Sequence, residues 1–280
     1  MNLTLDVLGK RADGYHEITT VLQAVDLSDR LVIEEADSLA LTTDSRDVPT
    51  GSDNLVLRAA TLLREAAGID RGARIRLDKH IPVAAGLGGG SSDAAATLAG
   101  LNRLWGLRWR TERLAELAVQ LGMDVPFFLG SGRARASGRG ERLERLAAGG
   151  SYALVLVKPG LALSTREVYD RVTGSVFSDG ARGRAMVTAL GRRDQASVAA
   201  NLYNGLEQVV EPAYPVISRM KTALLNAGAL GAVMSGSGPT VFGLARSLDH
   251  ARQIRERVAR ASWSCWAVRT VAGPAIRPAG

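Results

Sequence analysis

The chain has 280 residues, room for one large domain or two of ordinary size. An apolar fraction of 46% and a charged fraction of 22%, with no apolar stretch near the roughly 18 residues of a membrane span, exclude a disordered tail, a fibrous repeat and a membrane-spanning protein. A formal charge of +7, almost all of it arginine because lysine stands only at Lys10, Lys79, Lys158 and Lys221, favours an anionic partner. No basic stripe interleaves with aromatics, so the expected partner is a small phosphorylated molecule and not nucleic acid.

Leu3 to Leu8 alternates apolar with polar residues and predicts a strand. Lys10 to Gly14 reads as a turn, and a helix or strand carrying Ile18, Val21 and Leu22 follows. Leu31–Ile33 and Leu39–Leu41 read as two further strands. Asp53 is placed to cap a helix whose apolar face is Leu55, Val56, Ala59, Leu62, Leu63 and Ala66, ended by Gly68. Ala73–Asp78 alternates strictly and predicts a half-buried strand. After a glycine-rich loop, helices are expected over Ser92–Leu104 and Thr111–Leu121. A turn at Gly122–Pro126 then leads into a short apolar helix with Pro126 in its first turn.

Tyr152–Val157 is a continuous apolar run, expected as a buried strand. Residues 174–200 read as loops around one short helix. Helices are expected over Pro215–Ala227 and Asp249–Val258. Ala232–Met234 and Thr240–Phe242 flank a second glycine-rich loop, and Ala267–Val271 is a last strand. Strands and helices alternate without a regular βαβ period, so the fold class is α+β. The boundary of a two-domain chain is expected at 148/149, giving domains 1–148 and 149–280. Cys265, the single cysteine, permits no intrachain disulfide and reads as a packing residue; with no leader-like N-terminus, a cytoplasmic setting is expected. His80 and His250 read as surface residues.

Pro82-Val83-Ala84-Ala85-Gly86-Leu87-Gly88-Gly89-Gly90-Ser91-Ser92-Asp93 is the most informative stretch. Its glycines allow close backbone approach, and an alanine-rich helix begins at once. Successive N–H groups at a helix N-terminus suit a polyphosphate. The loop lacks the Gly-Lys-Ser/Thr of a Walker loop, and Ser91 stands where a dinucleotide fingerprint from Gly86 needs glycine.

This stretch resembles the second motif of the GHMP small-molecule kinases, and Met234-Ser235-Gly236-Ser237-Gly238-Pro239-Thr240 resembles their third, a loop supporting the nucleotide loop. Gly9-Lys10-Arg11-Ala12-Asp13-Gly14-Tyr15-His16 narrows the similarity to the branch that phosphorylates a cytidine diphosphate derivative of methylerythritol in isoprenoid precursor synthesis. The resemblance implies a two-domain fold with the phosphate loop between the domains, ATP as phosphoryl donor and Mg²⁺ as its counter-ion. It implies nucleotide contacts from Pro82 to Ser92, with Gly88, Gly89 and Gly90 too close to the phosphates for side chains.

Lys79 and Asn54 would stand near the nucleotide, although Lys79 also reads as a solvated lysine at a strand end. Asp124 matches the catalytic aspartate, a carboxylate able to orient the attacking hydroxyl and take its proton; by residue type alone it is a helix cap. Asn2, Tyr15, His16, Thr165 and Tyr169 match the substrate pocket, where a cytosine stacks on an aromatic face, and Tyr169 reads equally as core. Another kinase of the family and a nucleotide-binding chain without catalysis remain as alternatives. The second draws on a family lysine that would stand two residues before Asn2, ahead of Met1. The expectation is that the natural protein carries a Lys-x-Asn stretch ending at Asn2; Lys10 lies in the turn after the first strand and is not that lysine.

Overall fold

The computed structural model describes residues 1–147, 149–271 and 273–278. In chain order the first half holds β1 (Asn2–Lys10), β2 (His16–Gln23), β3 (Arg30–Ala36), β4 (Leu39–Thr43), α1 (Leu55–Ala67), β5 (Gly72–Asp78), α2 (Gly89–Leu104), α3 (Thr111–Leu121), α4 (Val125–Phe128), β6 (Arg133–Gly138) and β7 (Arg142–Arg145). The second half holds β8 (Ala153–Pro159), α5 (Thr165–Asp170), α6 (Ala181–Arg192), α7 (Gln195–Ala200), β9 (Tyr203–Asn204), α8 (Glu207–Ala213), α9 (Val216–Asn226), β10 (Gly231–Met234), β11 (Val241–Ala245), α10 (Leu248–Val258) and β12 (Trp263–Arg269). The α+β class holds: the sheets are antiparallel except where β1 meets β9 and β4 meets β5.

The chain forms two compact units, and neither is a single segment. The first gathers Met1–Asp26, Ala84–Leu87 and Gly132–Gly273; the second gathers Leu27–Val83 and Gly88–Ser131 with a C-terminal stretch from Pro274. The chain crosses from one unit to the other at 83/84 and back at 87/88, inside the glycine-rich loop. The boundary expected from sequence falls at residue 148, outside the described residues.

The first unit has two sheets, ordered β7-β6-β2-β1-β9 and β10-β11-β8-β12. The apolar run at residues 152–157 becomes β8, flanked by β11 and β12 in a strand buried on both faces. Val155 and Val157 share one core with Leu5, Val7, Leu206, Ile217 and Met234. Although β1 alternates apolar with polar residues, Thr4 and Asp6 are as buried as their apolar neighbours. Asp6 can be buried because it is bonded: Oδ2 accepts from the Gly183 N–H at 3.0 Å and Oδ1 from the Ser178 hydroxyl at 2.8 Å. It thus satisfies an otherwise orphaned donor in the first turn of α6, whose own cap residue, Gly180, has no side chain to do so.

The second unit packs α1 and α2 beside the sheet β3-β5-β4. β5 alternates as expected, with Ala73, Ile75 and Leu77 inward and Arg74 and Arg76 outward. Gly100 of α2 is seated so closely on Ile33 that a Cβ would lie 2.6 Å from its Cδ1.

Several expectations are corrected. The α1 cap is Asn54, not Asp53, because the Asn54 side chain accepts from the Val56 N–H. Helix α2 starts at Gly89, three residues before Ser92, because Gly88 at φ 73° turns the chain into it. Residues 174–200 contain a 3-10 turn and two helices, α6 and α7; α6 carries eight glycine, arginine and alanine residues among its twelve, a composition that hides its apolar face. The last strand is Trp263–Arg269, and His250 is buried beside Arg246 instead of lying at the surface.

Asp6→Ala should lower the urea midpoint by the equivalent of about 1–3 kcal/mol, because it strands a buried donor at the α6 N-terminus. Asp6→Asn, which keeps one acceptor, should recover part of the loss.

Candidate active site

The site residues expected from sequence fall into two sets, one in each unit. In the second unit the α2 N-terminus is the centre. Gly88 caps the helix with no side-chain bond, and helix geometry leaves the N–H groups of Gly89, Gly90 and Ser91 without helical partners. A 16-residue helix points its positive end at this spot, so the spot suits an anion.

The glycines here answer to different demands. A Cβ on Gly89 would lie 2.9 Å from Ile81 Cγ2 and 3.0 Å from Lys79 Nζ, so the protein itself excludes a side chain. Gly90 is exposed, and its Cβ would make an ordinary 3.4 Å contact with Leu55. Nothing in the protein requires glycine at 90, which leaves the space above its backbone for a ligand.

Lys79 does not reach outward. Its Nζ donates to Asp29 Oδ2 at 2.5 Å and to Asp93 Oδ2 at 2.9 Å, and all three side chains are buried. Asp29 Oδ1 also accepts from the N–H groups of His80 and Ile81. The triad ties the strand end, the entry to the glycine loop and α2 together, so Lys79 is not solvated; its Nζ stands beside the glycine loop, 3.0 Å from where a Cβ on Gly89 would lie. Burial, against the pull of Lys79, pushes the Asp93 carboxyl up to about 7.

Asn54 is likewise spent, its Oδ1 on the Val56 N–H and its Nδ2 donating to the Pro49 carbonyl at 2.6 Å. The side chain expected to stand near the nucleotide is the one that caps α1. Ser92 Oγ donates back to the Gly89 carbonyl at 2.7 Å.

Asp124 holds the N-cap position of α4, yet its side chain makes no capping bond. The residue keeps exposed surface while protein crowds the carboxyl, and this desolvation raises its pKa above the usual carboxylate range. An exposed, uncommitted carboxylate with raised basicity suits proton transfer better than capping.

In the first unit, Ala84–Leu87 rests on the second glycine-rich loop. Ser235 Oγ donates to the Gly86 carbonyl at 2.8 Å, and the Thr240 N–H donates to the Ala85 carbonyl at 3.3 Å. Gly86 sits at φ 69°, where a Cβ would come within 2.5 Å of the Ser235 carbonyl oxygen. Ala85 and Leu87 are buried and anchor the segment, while Pro82 is partly covered and Val83 and Ala84 are exposed.

The aromatic residues gather at His16. Its ring lies 5.4 Å from that of Tyr169 at a 34° tilt, and 6.4 Å from Phe177, edge-on. His16 Nε2 is buried and has no hydrogen-bond partner among the described residues. Burial first, and the Lys10 charge second, lower the pKa of His16, which keeps the ring neutral. Phe177 was not anticipated; it is 39% exposed, and an exposed phenylalanine near Tyr169 in sequence was the available signal.

Tyr15 is 56% exposed, with the Arg139 guanidinium 4.9 Å from its ring centre. Asn2 Nδ2 donates to Thr20 Oγ1 at 2.8 Å, and Thr165 Oγ1 and Ser237 Oγ lie 2.9 Å apart. The structure therefore joins Asn2, His16, Thr165 and Tyr169 to one unit, and Lys79, Asp124 and the α2 N-terminus to the other.

Residues 54–132 match the family model described as GHMP kinases N terminal domain, and residues 186–265 match GHMP kinases C terminal. A protein of Pelotomaculum thermopropionicum named 4-diphosphocytidyl-2-C-methyl-D-erythritol kinase is 51% identical over 272 residues, covering 96% of this chain and 95% of its own. One of the same name from Symbiobacterium thermophilum is 50% identical over 97% of each chain. Among solved structures, a crystal structure of 4-(cytidine 5'-diphospho)-2C-methyl-D-erythritol kinase matches with a TM-score of 0.84 at 41% identity over 97% of both chains. A mevalonate kinase of L. major shares the fold, with a TM-score of 0.73 at 15% identity over 90% of this chain and 89% of its own.

The buried triad predicts a pH dependence of stability. Asp93 titrates near 7 in the folded chain, against an ordinary 3.8. Across that window the folded state holds a proton the unfolded state has lost, so the Asp93 contribution falls as pH rises. Urea midpoints of the wild type should decline relative to those of Asp93→Asn between about pH 5 and about pH 8. A constant difference between the two proteins would contradict this.

Proposed function

The chain belongs to the GHMP kinase family, and on that premise we propose that it transfers the γ-phosphoryl group of ATP to the 2-hydroxyl of 4-diphosphocytidyl-2-C-methyl-D-erythritol, a step of isoprenoid precursor synthesis. It is an ATP-dependent small-molecule kinase, and no helix among the described residues is long and apolar enough to cross a membrane. The observation that carries the substrate class is the cluster at His16. A neutral ring with a buried, unpartnered Nε2 lies beside two aromatic side chains, and this suits the hydrogen-bonding edge and the faces of a nucleobase. A mevalonate or homoserine has no group to use such a cluster.

In this reading the N–H groups at the α2 N-terminus hold the phosphates of ATP over Gly90, and the helix offsets part of their charge. Asp124 orients the acceptor hydroxyl and takes its proton as the oxygen attacks the γ-phosphorus; the bond to the bridging oxygen breaks and ADP leaves. Tyr169 and Phe177 pack the base, His16 reads its edge, and Asn2 and Thr165 serve as further polar contacts. Lys79 and Asn54 act indirectly, one by fixing the loop entry and the other by starting α1. No group of three metal-ligating side chains occurs among the described residues, so Mg²⁺ would be carried chiefly by the phosphates, where it neutralises their charge.

A phosphoryl-transfer assay with ATP and the cytidylylated substrate is the direct test; equal use of methylerythritol phosphate without its nucleotide would refute the base-binding reading. Asp124→Asn should lower kcat by about 10²–10⁴-fold. Since Asp124 must be unprotonated and its pKa is raised, wild-type kcat should fall on acidification at a pH above the usual carboxylate range. The residual activity of Asp124→Asn should lack that acid limb.

Gly90→Ala should fold normally and raise the KM for ATP by roughly tenfold. Gly89→Val is the poorer probe, because Ile81 and Lys79 already fill the space it needs. Phe177→Ala should raise the KM for the cytidylylated substrate by about tenfold or more and leave the KM for ATP unchanged.

A further inference from the structure

Asn204, at the end of β9, has no part in the reading above, yet it is 2% exposed and fully engaged. Its Nδ2 donates to the Met234 carbonyl at 2.8 Å and to the Gly236 carbonyl at 2.7 Å, and its Oδ1 accepts from the Leu206 N–H at 3.0 Å. Three residues along, Glu207 Oε1 accepts from the Met234 N–H at 2.8 Å, and Lys221 Nζ donates to Glu207 Oε2 at 2.7 Å. Met234 is thus gripped at its N–H and its carbonyl by side chains of one short segment. The next residue, Ser235, is the one whose hydroxyl holds the Gly86 carbonyl.

We propose that Asn204 is a positioning residue for nucleotide binding: it fixes Met234–Gly236, and through Ser235 and Gly86 it fixes the backbone that runs two residues later into the α2 N-terminus. This rests on the reading of that N-terminus as the phosphate site. A buried amide donating to two carbonyls only 2.7 and 2.8 Å away has a property that a general packing role lacks. Replaced by a carboxyl, it would face two negative dipoles in a buried site. Asn204→Asp would therefore stay protonated at low pH, donate to one carbonyl and still accept from Leu206. On ionising at higher pH it would repel the loop. Nucleotide affinity in the variant should then depend on pH in a way that the amide does not allow.

The test is ATP binding by calorimetry, with KM for ATP and kcat, on the full-length wild type, Asn204→Asp, Ser235→Ala and the double variant, each checked for native near-ultraviolet dichroism. Asn204→Asp should weaken ATP binding by about tenfold at about pH 8 and much less at about pH 6, with kcat at saturating ATP little changed. Ser235→Ala should weaken binding comparably, and the double variant should be no worse than the weaker single, because both remove links in one chain. A folded Asn204→Asp with wild-type affinity at both pH values, or losses that add, would overturn the proposal while leaving the phosphate site standing. A wild type that binds no ATP would overturn both. Were Asn204→Asp not to fold, unchanged ATP affinity in a folded Ser235→Ala would overturn it alone.

Discussion

The first unit depends on a close backbone approach at Gly86. The glycine loop and the loop after β10 stand 149 positions apart in the chain, yet the Ser235 hydroxyl bonds the Gly86 carbonyl, and the backbone carbonyls of Ser235 and Gly238 leave no room for a Cβ. The contact needs a positive φ, a missing side chain and a hydroxyl at the facing position. Each is a sequence choice that local secondary structure does not require. Around it, β8, β11 and β12 supply an apolar frame stiff enough to hold two loops at this spacing.

Two aspartates in the second unit illustrate how surroundings divide one chemistry into two tasks. Desolvation by surrounding protein raises both carboxyls, although Asp93 is buried and Asp124 keeps exposed surface. Asp93 is locked against Lys79, and the bond between them orients the helix that begins at Gly89. Asp124 sits at a helix start without capping it, so its lone pairs stay uncommitted. A buried ion pair contributes little net stability, since desolvation offsets attraction, but removing one partner is severe. The triad is better understood as a device that fixes geometry.

Much of this was legible in the sequence because it is written locally. The alternation in β5, the apolar run of β8 and the glycines before α2 each encode their outcome within ten residues. The aromatic set at His16 was half legible: Tyr169 was marked, but Phe177 lay in a stretch of glycine, serine and arginine read as loop. The internal partners of Lys79 and Asn54 were hidden for one shared reason. A polar residue beside a glycine loop looks like a ligand contact until its partners are known, and Asp29 and the Pro49 carbonyl are partners that only folding brings near. Asn204 was invisible because nothing around a short β9 announces that one amide will hold two carbonyls thirty residues downstream.

The interleaving of the two units orders events during synthesis. Apart from four loop residues and the C-terminal stretch, the second unit is encoded between Leu27 and Ser131, so its three strands and four helices are all available once residue 131 has left the ribosome. The first unit cannot close so early. β1 emerges first but waits for β9, and β8 waits for β12, near the end of the chain. For more than half of translation the apolar side of β1 has only β2 beside it, and the long-range pairings that complete its sheet come late. The nascent chain therefore exposes an unfinished sheet for longest at its N-terminal end, which makes that strand the natural client of whatever holds new chains apart.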